Sequence, residues 1–165
     1  MSLATAGSLP TYPPSAECVG CGRCCMHAPG VTLPSDWESG GEIDWAAIEV
    51  AIRSGRWCVD WWEGEIPETR RARGVYLRPA ICGHEGSAVH AGWGGRCTFL
   101  SSQGCTAPRK PAGCAALKPR ENPGGSCAHP LALGGDRFNR GAALAWAPHA
   151  TRLEATARAI GEEQA

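Results

Sequence analysis

The stretch "CVGCGRCC", residues 18 to 25, sets four thiols within eight positions. Cys18, Cys21 and Cys24 form C-x2-C-x2-C, the spacing by which one short loop holds three corners of a cubane iron-sulfur cluster while a remote cysteine supplies the fourth. Zinc more often takes a pair of thiolates from each of two separated knuckles. A tetrahedron of four sulfurs suits either, so spacing leans toward iron and sulfur without deciding between them. Cys25 adds a constraint. Adjacent side chains point ~100° apart on a helix and to opposite faces of a strand, which leaves Cys24 and Cys25 poorly placed to ligate one ion. A second centre, or a structural or redox role for one of them, follows. Remote ligands are offered by Cys97, Cys105, Cys114 and Cys127, with Cys58 and Cys82 in reserve. His84 and His129 each stand two residues past a cysteine and are candidate imidazole ligands, although a lone histidine is more often a surface or hydrogen-bonding residue.

The elements that must position these groups are short. Residues 1 to 16, rich in Pro, Ser, Thr and Ala, read as a flexible arm, and residues 17 to 165 as a single domain. Over 42 to 55, Trp45, Ile48 and Ile52 recur at helical spacing, with Asp44 as a cap and Gly55 as a stop. "WCVDWW" at 57 to 62 reads as a core patch, and residues 36 to 80 as a helical, Trp-rich insertion. "GVYLRPAIC", "GRCTFL" and "GCTA" are strand candidates, the last two joined through "SSQG" as a hairpin with Cys97 and Cys105 near its ends. "RFNRGAALAWAPHA" is expected to add a final strand. The last 16 or so residues read as a helix with Leu153, Ala157 and Ile160 on one face.

Composition bounds the class. Only 24 of 165 residues are Leu, Ile, Val or Phe, while Gly numbers 22, Pro 13, Trp seven and Cys ten. So few aliphatic residues predict help from another source, and a thiolate-bound metal can provide it, because binding free energy of ~10–16 kcal/mol for a structural zinc site becomes folding free energy. Sixteen basic and sixteen acidic residues give no footprint for nucleic acid or anionic lipid. No run approaches the ~20 apolar residues of a membrane span, and the N-terminus lacks the basic and apolar regions of a secretory signal. The expectation is a cytoplasmic protein whose cysteines stay reduced, which makes them a metal signal before a disulfide signal. A thiol oxidoreductase is disfavoured by the lack of a thioredoxin-type βαβ pattern around Cys18 and Cys21. Hydrolase motifs are absent, and Asp36, Glu38 and Asp60 read as scattered surface carboxylates.

"CVGCGRCC" followed by "RCTFL", "GCT" and "KPAGC" resembles the CxxCxxCC cysteine-cluster family, the YkgJ-type zinc- or iron-chelating domain, over roughly residues 17 to 118. This chain departs from that pattern at Pro108, Lys110 and Ala115. The resemblance implies that Cys18, Cys21, Cys24, Cys25, Cys97, Cys105 and Cys114 form the metal-binding set. In this reading Cys18, Cys21 and Cys24 hold a first centre, and Cys25 joins Cys97, Cys105 and Cys114 around a second or closes the first from the far half. The expected fold is a small, irregular, metal-stapled α+β domain with short strands, a hairpin and two or more peripheral helices. The expected function is chelation of an iron-sulfur cluster or iron ion, or of zinc, in a redox, accessory or maturation role. The alternative is a purely structural zinc module that docks a protein partner.

Overall fold

Asp44 starts the first helix: its Oδ1 accepts the Ala47 amide at 2.9 Å, satisfying one of the donors left open at a helix N-terminus. The helix, α1 (Trp45–Arg53), buries Ile48 and Ile52 and stops where Gly55 takes φ +77°, a conformation that favours glycine. The computed structural model describes residues 24–26, 29–62, 74–92, 94–115, 118–119, 127–128 and 135–165. The arm at residues 1 to 16, Cys18, Cys21 and His129 lie outside the described residues, as do the side chains of Cys24 and Cys127.

The described architecture is α+β, built of helices and two-stranded antiparallel hairpins. A short hairpin, β1 (Glu38–Ser39) with β2 (Glu42–Ile43), precedes α1. At the centre β3 (Trp57–Trp61) pairs with β4 (Val75–Pro79), Val59 opposite Leu77 and Cys58 opposite Arg78. Thus "WCVDWW", read as a core patch, is largely a strand buried on both faces, and Pro79 is accommodated as the last residue of its partner. Ala88 and His90 extend the pairing, the Val59 amide donating to Ala88 O at 2.8 Å and the His90 amide to Val59 O at 3.0 Å. The "SSQG" hairpin forms as expected: β5 (Leu100–Ser101) pairs with β6 (Gly104–Cys105), Leu100 opposite Cys105. A single helical turn, α2 (Ala112–Ala115), follows, and β7 (Lys118–Pro119) pairs with β8 (Cys127–Ala128).

The C-terminal region corrects one expectation. "RFNRGAALAWAPHA" forms no strand; it holds α3 (Gly135–Trp146) and then a 3-10 turn at Ala147–His149. Ala is the strongest helix former, and Ala142, Ala143 and Trp146, all fully buried, share a face only at helical spacing. Pro148 cannot donate the next helical hydrogen bond, so the chain turns and restarts as α4 (Ala150–Glu163), which buries Leu153, Ala157 and Ile160.

One contiguous core joins these elements: Ile48 and Ile52 of α1, Trp57 and Val59 of β3, Leu77 of β4, and the inner faces of α3 and α4. Trp37 meets Trp57 edge-on at 5.1 Å between ring centroids, and Trp57 meets Phe99 at 5.3 Å. Large aromatics bury much area per residue, which is how a chain poor in aliphatics fills its interior. Cys97 belongs to this core, and Cys25 and Cys105 pack against it.

Candidate metal centre

Four of the seven sequence-selected cysteines have described side chains, and three separate stretches of chain bring them into one neighbourhood. Cys25 sits in a 3-10 turn, Cys24–Met26, where successive side chains diverge by about 120°. Its carbonyl accepts the Cys97 amide at 2.7 Å, fixing that turn against the next segment. Cys97 lies where Ile81 bridges it in antiparallel fashion, just before β5, and Cys105 closes the hairpin on β6. Cys114 is carried by α2.

The seat of α2 is built by Asp36. Its Oδ2 accepts the amides of both Leu33 and Ala112 at 2.9 Å, and Arg109 donates to its backbone oxygen at 2.8 Å while lying over the Trp37 ring. Burial raises the Asp36 carboxyl above its ordinary range, against the two amides and Arg109. The Gly113 amide then bonds Val31 O at 2.9 Å, which lays Cys114 against Gly30. A Cβ on Gly30 would stand 2.5 Å from the Cys114 sulfur. Only glycine fits there.

Burial pushes the Cys114 thiol far above the ordinary range, and repulsion from Cys25 adds to it; the neighbouring Gly30 amide opposes this, and Cys97 and Cys105 raise it further. The Cys97 thiol is pushed up to about 11, by burial first, with the Phe99 amide opposing and Cys105 and Cys82 reinforcing; Arg56 draws it down. At Cys105 the Ala107 amide donates to the sulfur at 3.4 Å. Cys105 thus accepts a backbone N–H, and backbone amides lie close enough to Cys97 and Cys114 to favour their charged forms. Such bonds favour the thiolate, whereas burial favours the neutral thiol. None of Cys25, Cys58, Cys82, Cys97, Cys105 and Cys114 is in a disulfide. Among the described residues no three His, Cys, Asp or Glu side chains form a ready-made metal-holding group, so binding by this set requires the four sulfurs to converge.

The reserve ligands fall elsewhere. Cys58 is fully buried on the face of β3 that carries Asp60. Burial pushes its thiol up to about 11, opposed by the charge of Arg78 and by a hydrogen bond from it, with Asp60 raising it. Asp60, read as a surface carboxylate, is 6% exposed and accepts from Arg78 Nε at 2.7 Å. Arg78 also donates to Pro79 O at 2.8 Å and His90 O at 3.1 Å. Asp36 is likewise half-buried rather than on the surface, while Glu38 is exposed as expected. The pairing of Asp60 with Arg78 follows from strand register across a connection of more than a dozen residues, so no local pattern announces it. Cys82 and His84 are exposed on one turn, and the His84 ring stacks on that of His90 at 4.1 Å.

Among the described residues no helix is long and apolar enough to cross a membrane. No family model, no curated protein and no solved structure matches this chain.

Proposed function

We propose that this protein binds a metal through clustered cysteine thiolates, with an iron-sulfur cluster or iron ion as the bound group and zinc as the alternative. The observation that carries this reading is the conflict at the clustered thiols. Cys25, Cys97, Cys105 and Cys114 lie within one another's fields, and at Cys97 and Cys114 burial disfavours the thiolate while the neighbouring Phe99 and Gly30 amides favour it. A bound cation resolves the conflict, since it holds the sulfurs deprotonated and neutralises their mutual repulsion. Four sulfurs fit both candidates: tetrahedral zinc, or iron in a sulfur environment. A bound iron-sulfur cluster would supply one-electron chemistry, whereas a zinc ion would supply cross-linking alone.

The likeness of "CVGCGRCC", "RCTFL", "GCT" and "KPAGC" to the CxxCxxCC cysteine-cluster family supports the same set, with Cys18, Cys21 and Cys24 as further ligands. The protein's own residues set the conditions of binding. Gly30, Phe99 and Ala107 supply the amides, Asp36 holds α2 in place, and Arg56, stacked on the Phe99 ring, provides positive charge toward Cys97. A cytoplasmic, reducing setting would keep the thiols available for a redox, accessory or maturation role.

Metal analysis together with an absorption spectrum of anaerobically isolated protein tests this. Stoichiometric iron with sulfur-to-iron charge-transfer bands is the expected result. Colourless protein with stoichiometric zinc would favour the structural module that docks a protein partner, and metal-free protein would overturn both readings.

A further inference from the structure

On the face of the central hairpin turned away from Val59 and Leu77, Cys58 and Asp60 of β3 stand opposite Arg78 and Tyr76 of β4. The Asp60–Arg78 ion pair lies there, all but closed to solvent. The chain after the 82–86 turn reaches this pair through His90. Arg78 Nη2 donates to His90 O at 3.1 Å and faces His90 Nδ1 at 3.3 Å. A guanidinium has donors and no acceptor, so Nδ1 offers its lone pair and the ring is neutral, with its proton on Nε2. The ring is also boxed in. His84 stacks on it at 4.1 Å between centroids, and Gly92 lies so close that a Cβ there would stand 2.6 Å from His90 Cε1 and 3.0 Å from Nδ1. The same residue fastens the backbone: the His90 amide donates to Val59 O at 3.0 Å and the Val59 amide to Ala88 O at 2.8 Å, along the edge of β3 away from β4.

A charged His90 does not fit this arrangement. A proton on Nδ1 would meet the Arg78 N–H head-on and set a second positive charge beside the guanidinium. The groups that face the ring are Arg78 from β4, Asp60 from β3, with Cys58 next to it, and His84 from the 82–86 turn, where Glu85 is engaged by the Gly83 amide and Thr98 Oγ1. Burial lowers the pKa of His90, the charges of His84 and Arg78 lower it further, and Asp60 opposes them. We propose that His90 is an acid-operated latch: once its ring is charged, residues 84–92 come away from β3 and uncover the backbone edge at Val59 and the Asp60–Arg78 pair. A histidine held low in the fold contributes its stability in full above the ordinary value of ~6.5, and that contribution is lost as pH falls below it. The latch goes beyond metal binding and does not depend on it, since none of these groups belongs to the proposed ligand set.

Backbone hydrogen exchange of the full chain under reducing conditions, read residue by residue by NMR from about pH 7.5 to about pH 5 and corrected for intrinsic exchange rates, tests the latch. Protection of the Val59 and His90 amides should fall toward acid by up to about tenfold per pH unit, while that of Ile52 in α1 and Leu153 in α4 holds. His90→Gln keeps an oxygen acceptor for Arg78 and cannot titrate, so its Val59 protection should stay level across the range. In the unmutated chain at neutral pH, nitrogen NMR should find the His90 proton on Nε2. Val59 protection that ignores pH, an acid response that persists in His90→Gln, or a proton on Nδ1 would each overturn the proposal. Parallel loss at Ile52 and Leu153 would make the opening global and overturn it too. Should His90→Gln fail to fold, the tautomer and the contrast between Val59 and Leu153 in the unmutated chain decide the matter.

Discussion

Gly30 and Cys114 show how tightly the thiol neighbourhood is fitted. An added Cβ at Gly30 would meet not only the Cys114 sulfur but its backbone nitrogen at 2.6 Å, so no side-chain rotation relieves the clash. Gly30→Ala should cost about 1–3 kcal/mol in denaturant unfolding and lower the metal content of the isolated protein. Cys58 predicts a pH dependence of the metal-free, reduced chain. Its thiol titrates near 9.0 when unperturbed and at about 11 in the fold. The unfolded chain thus loses this proton first. Its contribution to stability is complete below the unperturbed value and is lost as pH rises through the folded one. The slope reaches about 1.4 kcal/mol per pH unit. Urea unfolding of the native chain and of Cys58→Ala between about pH 8 and pH 11 should give a flatter profile for the variant; parallel profiles would contradict the assignment.

At the scale of elements, α1 and α4 pack on each other and on β3, and depend on few side chains. Leu153 is fully buried, whereas Val50, on the outer face of α1, is 69% exposed. Leu153→Ala should destabilise by about 2–5 kcal/mol, while Val50→Ala should stay within about 0.5 kcal/mol, both by denaturant melts. These two helices were legible in the sequence because their apolar residues repeat at helical spacing and Asp44 and Gly55 mark the ends of α1. The "SSQG" hairpin was legible from its turn. Misreading α3 as a strand has a physical cause: a short run of Ala, Leu and Trp carries no periodicity of its own, and burial of Ala142, Ala143 and Trp146 against the rest of the molecule decides the matter. The pairs that matter most at the site were not legible. Asp60 and Arg78, or Cys25 and Cys114, meet only through register and packing between distant segments.

For the whole molecule, the balance between core and metal is the open physical quantity. The sparse aliphatic content predicts reliance on an inorganic staple, yet Trp37, Trp57, Phe99 and Trp146 join the aliphatic residues in one contiguous core. Cys97 belongs to that core and Cys25 and Cys105 border it, but the thiols do not replace it. Beside the core stands the set of mutually repelling sulfurs at Cys25, Cys97, Cys105 and Cys114, drawn from three parts of the chain. The family resemblance named these four within a set of seven among ten cysteines; folding alone selects which share a neighbourhood, because that depends on how α2 is seated by Asp36 and how the 3-10 turn at Cys24–Met26 is bonded to Cys97. X-ray absorption fine structure at the edge of the metal carried by the isolated protein tests the account most directly. It predicts a first shell dominated by sulfur at about 2.3 Å, lost or depleted in Cys114→Ser; a shell of nitrogen and oxygen, or one unchanged by that substitution, would contradict it.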